Sequence, residues 1–109
     1  MSGPPSGTPE IRRNEADHRY EAWLDGETVG FAFYRQEPGR TVFLHTEVAE
    51  RMEGRGVGRA LVREALDDVR ARGEQAVPLC PFVAAYIKGH RDYQDLVPHE
   101  YDRAIGRNG

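Results

Sequence analysis

The stretch EGRGVGRAL, residues 53–61, constrains the fold more than any other part of this 109-residue chain. Its three glycines, Gly54, Gly56 and Gly58, stand at alternate positions directly before the strongest helical pattern in the sequence. Glycine is costly to order in a helix, so helix initiation alone does not explain them. We expect a loop whose bare backbone meets an anion at a helix N-terminus, where unpaired N–H groups and the helix dipole favour negative charge.

Periodic apolar residues predict the elements around this loop. The segment 57–73, VGRALVREALDDVRARG, has two apolar rows at helical spacing and ends at Gly73, a residue suited to cap a helix. Before the loop, HRYEAWL and TVGFAFYRQ predict a hairpin around DGE, and TVFLHTEV predicts a third strand. After the helix, QAVPLC predicts a short buried strand and PFVAAYIKGH a second helix that starts at Pro81.

This order of elements predicts an α/β (α+β) fold: one domain with a mixed, mostly antiparallel twisted sheet, flanking helices and a parallel pair around the first helix. The Pro- and Gly-rich start predicts a flexible N-terminal tail over residues 1–9. Residues 10–105 are interpreted as the domain, and residues 106–109 as a flexible C-terminal tail. A sheet edge left exposed is compatible with a monomer or a homodimer.

Composition narrows the classes of function. The chain has 15 basic and 18 acidic residues, a net charge of −3, which disfavours a nucleic-acid partner. Cys80 is the single cysteine, so neither an intramolecular disulfide nor a cysteine zinc cage can form, and no metal site is predicted. No apolar run is long enough for a membrane span or a signal peptide, and we therefore expect no membrane association and a cytoplasmic location.

Two common phosphate-binding loops do not fit residues 53–61. A Walker loop ends in Gly-Lys-Ser/Thr, whereas this chain has Gly58, Arg59 and Ala60. The dinucleotide fingerprint requires a third glycine where this chain has Arg59 or Leu61, depending on the glycine from which the pattern is counted.

The loop does resemble that of the Gcn5-related N-acetyltransferase superfamily, whose pattern is Gln/Arg-x-x-Gly-x-Gly/Ala after a strand. Glu53 occupies the first position, which departs from the pattern, and Gly56 and Gly58 match its glycines. The segments HTEVAERMEGRGVGRALVREAL and PLCPFVAAYIKGHRDYQDL together look like the small single-domain branch of that superfamily, and the resemblance covers residues 17–97.

The resemblance implies an enzyme that uses acetyl-CoA as cosubstrate. The loop N–H groups of Arg55 to Ala60 are then expected to bind the CoA pyrophosphate, with Arg55 or Arg59 as a charge partner. The end of the preceding strand, near Val48, is expected to pair with the pantetheine arm. The expected CoA-binding set is Val48, Glu53, Gly54, Arg55, Gly56, Val57, Gly58, Arg59 and Ala60.

Four residues are candidates for the chemistry. His45 and Glu47 share one face of a strand and could take a proton from an amine, although both residue types also serve in structural pairs. Cys80 lies where the small branch carries a cysteine and is either a nucleophile, an acid–base group or a buried packing residue. Tyr86 could protonate the departing thiolate, or it packs in the core with Phe82, Val83 and Ile87.

The leading hypothesis is an N-acetyltransferase that transfers an acetyl group from acetyl-CoA to an amine on a small molecule or a protein. The alternative is a non-catalytic module that binds or senses acetyl-CoA or acyl-CoA. A third reading is an interaction module whose loop holds another phosphate compound.

Overall fold

The computed structural model describes residues 8–108, so most of the predicted N-terminal tail and Gly109 lie outside it. Five strands form one sheet in the order β1-β2-β3-β4-β5. The strands are β1 (Glu10–Asn14), β2 (Arg19–Leu24), β3 (Glu27–Glu37), β4 (Arg40–Val48) and β5 (Gln75–Pro78). The α-helices are α1 (Val57–Ala71) and α2 (Pro81–Lys88), and short 3₁₀ segments are Glu50–Met52, Arg91–Leu96 and His99–Ile105.

The predicted α/β fold with a mixed, mostly antiparallel sheet is confirmed. Strands β1 to β4 pair antiparallel in sequence order, and β4 pairs with β5 in parallel from Arg40–Gln75 to Phe43–Pro78. The predicted hairpin turn has Asp25 and Gly26 with φ of 52° and 80°, the left-handed pair that two-residue hairpins favour. Gly73, with φ of 71°, ends the turn after α1 as the sequence predicts.

Helix α1 covers one face of the sheet with the apolar rows that predicted it. Its buried residues are Val57, Gly58, Leu61, Val62, Ala65, Leu66 and Val69. They pack with Tyr20, Ala32 and Phe43 from the sheet and with Val83 and Ile87 from α2 in one core cluster. Burying each large apolar side chain stabilises the fold by about 1.5–3 kcal/mol, so this layer is the main source of stability.

Two parts of the fold are not predicted by the sequence. Strand β1, EIRRN, lacks an apolar pattern because its inward residue Arg13 is covered by tyrosine rings, its guanidinium carbon lying 4.6 Å from the centre of the Tyr34 ring. The C-terminal 3₁₀ segments are the second part, and they bury Tyr93, Leu96 and Ile105 in the core. Arg107 donates to the carbonyls of Gln94 and Val97, although the sequence assigned this residue to a flexible tail.

A bulge in β4 lies near the C-terminal end of the strand, which is the end nearest the glycine loop. His45 pairs with Phe33 and Phe43 with Tyr34, so Leu44 is the extra residue and is 40% exposed. Beyond Phe43 the ladder to β5 ends. Because β4 and β5 are parallel, their C-terminal ends lie side by side. Helices α1 and α2 both begin there, on either side of the gap that opens between the two strands.

Candidate functional site

The loop between β4 and α1 depends on left-handed glycines. Gly54 and Gly56 have φ of 81° and 80°, a conformation that other residues rarely adopt. Gly56 is the N-cap of α1, and its carbonyl accepts the first helical hydrogen bond from Ala60, at 3.0 Å. The N–H groups of the first turn therefore have no helical acceptor and face the N-terminal end of the helix dipole.

Gly58 meets the loop's neighbours too closely to carry a side chain without movement. A Cβ atom on Gly58 would lie 2.9 Å from Cζ of Phe82 and 3.5 Å from Cγ2 of Val48. The glycine thus lets the start of α1 approach both the end of β4 and the start of α2. Phe82 itself remains 43% exposed.

A cavity of about 320 Å³ opens at this junction. Its wall combines the glycine backbone with apolar side chains from β4 and α2. The lining residues are Val48, Met52, Glu53, Gly54, Gly56, Val57, Gly58, Arg59 and Phe82. Seven of them belong to the set expected to bind CoA; Arg55 and Ala60 of that set are not in the wall.

Arg59 is a cation without an anionic partner in the part of the chain that the structure describes. Its Nη2 lies 3.3 Å from the point where a Gly56 Cβ would stand, so the guanidinium folds back over the loop. Arg55 instead lines a separate hollow with Arg51, whose Nη2 is 2.6 Å from Oε1 of Glu27. Of the two arginines that the sequence offered as charge partners, the geometry therefore favours Arg59.

The segment of β4 beyond the bulge, residues 44–48, has one edge without a strand partner within residues 8–108. The N–H of Cys80 donates to the carbonyl of Phe43 at 2.9 Å, and the two strands separate from there. Val48, at the end of this edge, lines the cavity. An extended ligand with amide groups could pair with this edge as an added strand does.

His45 and Glu47 lie together on the sheet face opposite α1. His45 Nε2 and Glu47 Oε2 are 3.1 Å apart, and the side chains are 61% and 57% exposed. The His45 ring also lies almost parallel to Phe33, with the ring centres 6.2 Å apart. An acid and an imidazole in direct contact can accept and relay one proton.

Cys80 lies on the other side of the same strand segment and is buried. It is 2% exposed, belongs to the core cluster and has its Sγ 3.4 Å from Oγ1 of Thr46. It is the N-cap of α2 but makes no side-chain capping bond. The contact with Thr46 shows the thiol packed in the core beside β4.

Tyr86 contacts a different group of side chains. Its ring stacks on His90 with the ring centres 3.9 Å apart, and it lies 5.9 Å from the Tyr93 ring. Burial raises the pKa of Tyr86, and the nearby Arg63 opposes that shift. The phenol therefore keeps its proton at neutral pH, which a proton donor requires. The structure brings His45 and Glu47 together. Tyr86 and Cys80 contact neither of them and do not contact each other: Tyr86 stacks on His90, and Cys80 packs against Thr46.

Two lining residues were missed from the sequence, Met52 and Phe82. Phe82 was interpreted as part of a core row on α2, although it stands at the exposed first turn of the helix. The signal that could have identified it is its position directly after Pro81, where a helix begins beside the gap between β4 and β5. Met52 lies in the 3₁₀ turn before the glycines and carried no such signal.

A strand that leads through a glycine loop into a helix, beside a second strand that diverges from it, is consistent with the fold of the superfamily that the sequence resembles. A family model described as GCN5-related N-acetyl-transferase matches residues 19–96. The chain belongs to this GCN5-related N-acetyltransferase family. No curated protein gives a significant match to the chain.

Between residues 8 and 108, no helix has the length and apolar character needed to cross a membrane. In the same range, no three His, Cys, Asp or Glu side chains are grouped so that they could hold a metal ion.

Proposed function

We propose that this protein is an acetyl-CoA-dependent N-acetyltransferase that acetylates an amine. The observation that carries the proposal is the cavity at the start of α1, where left-handed glycines and first-turn N–H groups meet Arg59, which has no anionic partner among residues 8–108. This combination suits a pyrophosphate, because backbone donors and one guanidinium can both reach its oxygens. The family match supports an acetyltransferase-type function in general.

The pantetheine arm of the ligand also has a matching surface on the protein. The open edge of β4 offers backbone groups to the amides of a pantetheine arm, and Val48 and Phe82 offer apolar contact beside it. The thioester then lies in the gap above the bulge, between the face that carries His45 and the side that carries Cys80. Seven residues of the expected binding set line this one cavity, which supports the assignment.

The chemistry requires an amine that has lost a proton, and Glu47 with His45 is the pair that can accept it. The neutral amine nitrogen forms a bond to the thioester carbonyl carbon and the carbon–sulfur bond breaks. The nitrogen loses one N–H proton to give the amide, and the departing thiolate takes up a proton. Tyr86 remains the candidate donor of that proton because a phenol carries its proton at neutral pH. Burial of Cys80 favours direct attack by the amine over an acetyl-cysteine intermediate.

The exposure of His45 and Glu47 favours a second candidate function. No described segment walls the acceptor side of these residues, as would suit a module that binds acetyl-CoA or acyl-CoA without catalysis. Acetylation of any member of a broad amine panel would exclude this alternative.

The test is calorimetric titration with acetyl-CoA, with ATP and NAD as controls, followed by intact-mass measurement. Selective binding of acetyl-CoA supports the site, and acetylated product separates the enzyme from the binding module. Equal binding of ATP would instead favour a general phosphate loop, and no binding of any ligand would refute both candidate functions.

A further inference from the structure

A second cavity opens at the opposite end of β4 from the glycine loop. Its volume is about 470 Å³, and it lies between the β1–β2 turn, the β3–β4 turn and the residues that follow α1. The wall includes Gly39, which directly precedes β4, whereas the glycine loop follows Val48 at the end of that strand. The nine residues of β4 separate the two sites by about 26 Å. A ligand in this second cavity therefore lies outside the site assigned to CoA.

Tyr34 places an unused hydroxyl in the wall of this second cavity. The residue is 3% exposed, and its ring packs against the guanidinium of Arg13 and the edge of the His18 ring. The hydroxyl has no hydrogen-bond partner within residues 8–108, yet no fully buried side-chain oxygen or nitrogen in that range lacks one. The hydroxyl is therefore the part of Tyr34 that reaches the cavity. Burial raises the pKa of Tyr34, so the hydroxyl keeps its proton at neutral pH and can donate it to a ligand.

Two charged side chains of the same wall have capacity for further partners. Nη2 of Arg72 lies 3.4 Å from Oε2 of Glu15, and the other guanidinium nitrogens of Arg72 have no acceptor within the described range. Glu74 is half-buried, and its carboxylate accepts hydrogen bonds from the neutral groups of Thr41 and Gln36. No arginine, lysine or histidine between residues 8 and 108 pairs with that carboxylate. A carboxylate partly removed from water favours a cation beside it.

We propose that this cavity is a second binding site, which takes a small zwitterion of the amino-acid class. The carboxylate of the ligand accepts hydrogen bonds from the Tyr34 hydroxyl and the Arg72 guanidinium, and its ammonium group lies against Glu74. Each charge of the ligand then meets the opposite charge in the wall, and Tyr34 gains the acceptor that it lacks. Because the cavity is remote from the glycine loop, this inference does not depend on the proposed function.

The test uses L-alanine as the probe, with propionate and ethylamine as fragments that each carry one of its two charges. Binding is followed by NMR at the His18 ring, which lies in the wall. We expect L-alanine to bind about tenfold or more tightly than either fragment, as hydrogen bonds to charged groups predict. Tyr34→Phe removes the hydroxyl alone and should weaken L-alanine binding about two- to tenfold, the equivalent of one hydrogen bond. Tyr86→Phe is the matched control, since it makes the same change on α2, outside this cavity.

Glu74→Gln tests the ammonium end of the site. It keeps an acceptor for Thr41 but removes the charge, so L-alanine should bind about tenfold more weakly while propionate binds as before. Glu37→Gln is the control within the same wall and should change the affinity less than about twofold, because Arg35 already pairs with Glu37 at 3.1 Å.

Urea denaturation checks that each variant is folded. Equal affinity for the three probes, equal losses in a variant and its control, or no response of His18 to L-alanine would overturn the inference. All four variants should keep the wild-type affinity for acetyl-CoA. Failure of the wild-type protein to bind acetyl-CoA would count against the proposed function alone.

Discussion

Substitution of Gly58 by alanine should separate ligand binding from folding. Alanine in a helix is more favourable than glycine by about 0.5–1 kcal/mol, but its Cβ would lie 2.9 Å from Cζ of Phe82. To restore normal carbon contact near 3.5–4.0 Å, the ring must move by roughly 0.6–1.1 Å, at a rotamer cost of about 0.5–1.5 kcal/mol. The two effects nearly cancel, so the free energy of unfolding should change by less than about 1 kcal/mol.

Binding of CoA should respond differently, because the new methyl group and the displaced ring both occupy the entrance of the 320 Å³ cavity. We expect the Kd of acetyl-CoA to rise at least tenfold, equivalent to about 1.4 kcal/mol. Calorimetry gives the affinity and urea denaturation the stability. Gly89→Ala is the control, since its Cβ would meet nothing closer than 3.7 Å and it lies at the other end of α2. Wild-type affinity in a folded Gly58→Ala protein would refute the assigned path of the ligand.

Three further substitutions test other parts of the site and fold. Arg59→Gln should weaken acetyl-CoA binding about tenfold or more in calorimetry, as expected for loss of a charged hydrogen bond, whereas Arg63→Gln, one turn further along α1, should not; equal effects would contradict the role of Arg59. Cys80→Ala should retain acetyl transfer in a steady-state assay, and the wild-type protein should show no acetyl adduct by intact mass; an adduct that the variant lacks would establish a covalent route instead. Burial raises the pKa of Glu21, but its hydrogen bonds outweigh burial and hold it below the ordinary 4.5, so its stabilisation is present above that pH and lost as the pH falls below it. Glu21→Gln should therefore reduce the free energy of unfolding at pH 7 by about 1–3 kcal/mol and flatten its decline in acid, and an unchanged acid limb in urea titrations would disprove this account.

The sequence predicted the elements that a local pattern marks. Such a pattern is either a row of apolar residues at helical spacing or a pair of turn residues. Leu61 and Val69 lie on the buried stripe of α1, and Asp25–Gly26 sets the turn of the β2–β3 hairpin. Strand β1 was missed because its inward residue is an arginine that packs against aromatic rings, a contact that no local pattern encodes.

The candidate site was predictable where the chemistry is carried by the backbone. Gly54 and Gly56 were found because only glycine adopts their left-handed conformation at low cost. Phe82 was missed because its place in the cavity depends on where α2 docks against α1, which is set by tertiary packing. The bulge at Leu44 escaped for a similar reason, since it arises from the register between two strands and leaves no mark in either one alone.

The parallel ladder between β4 and β5 spans only four residue pairs and joins segments that are far apart in the chain. The antiparallel strands before it pair with sequence neighbours, so they can assemble before the crossover through α1 brings β5 into place. Phe82 arrives only with this last step. We therefore expect the cavity to be completed late in folding, and we expect local detachment of β5 and α2 to release a bound ligand while β1 to β4 stay paired.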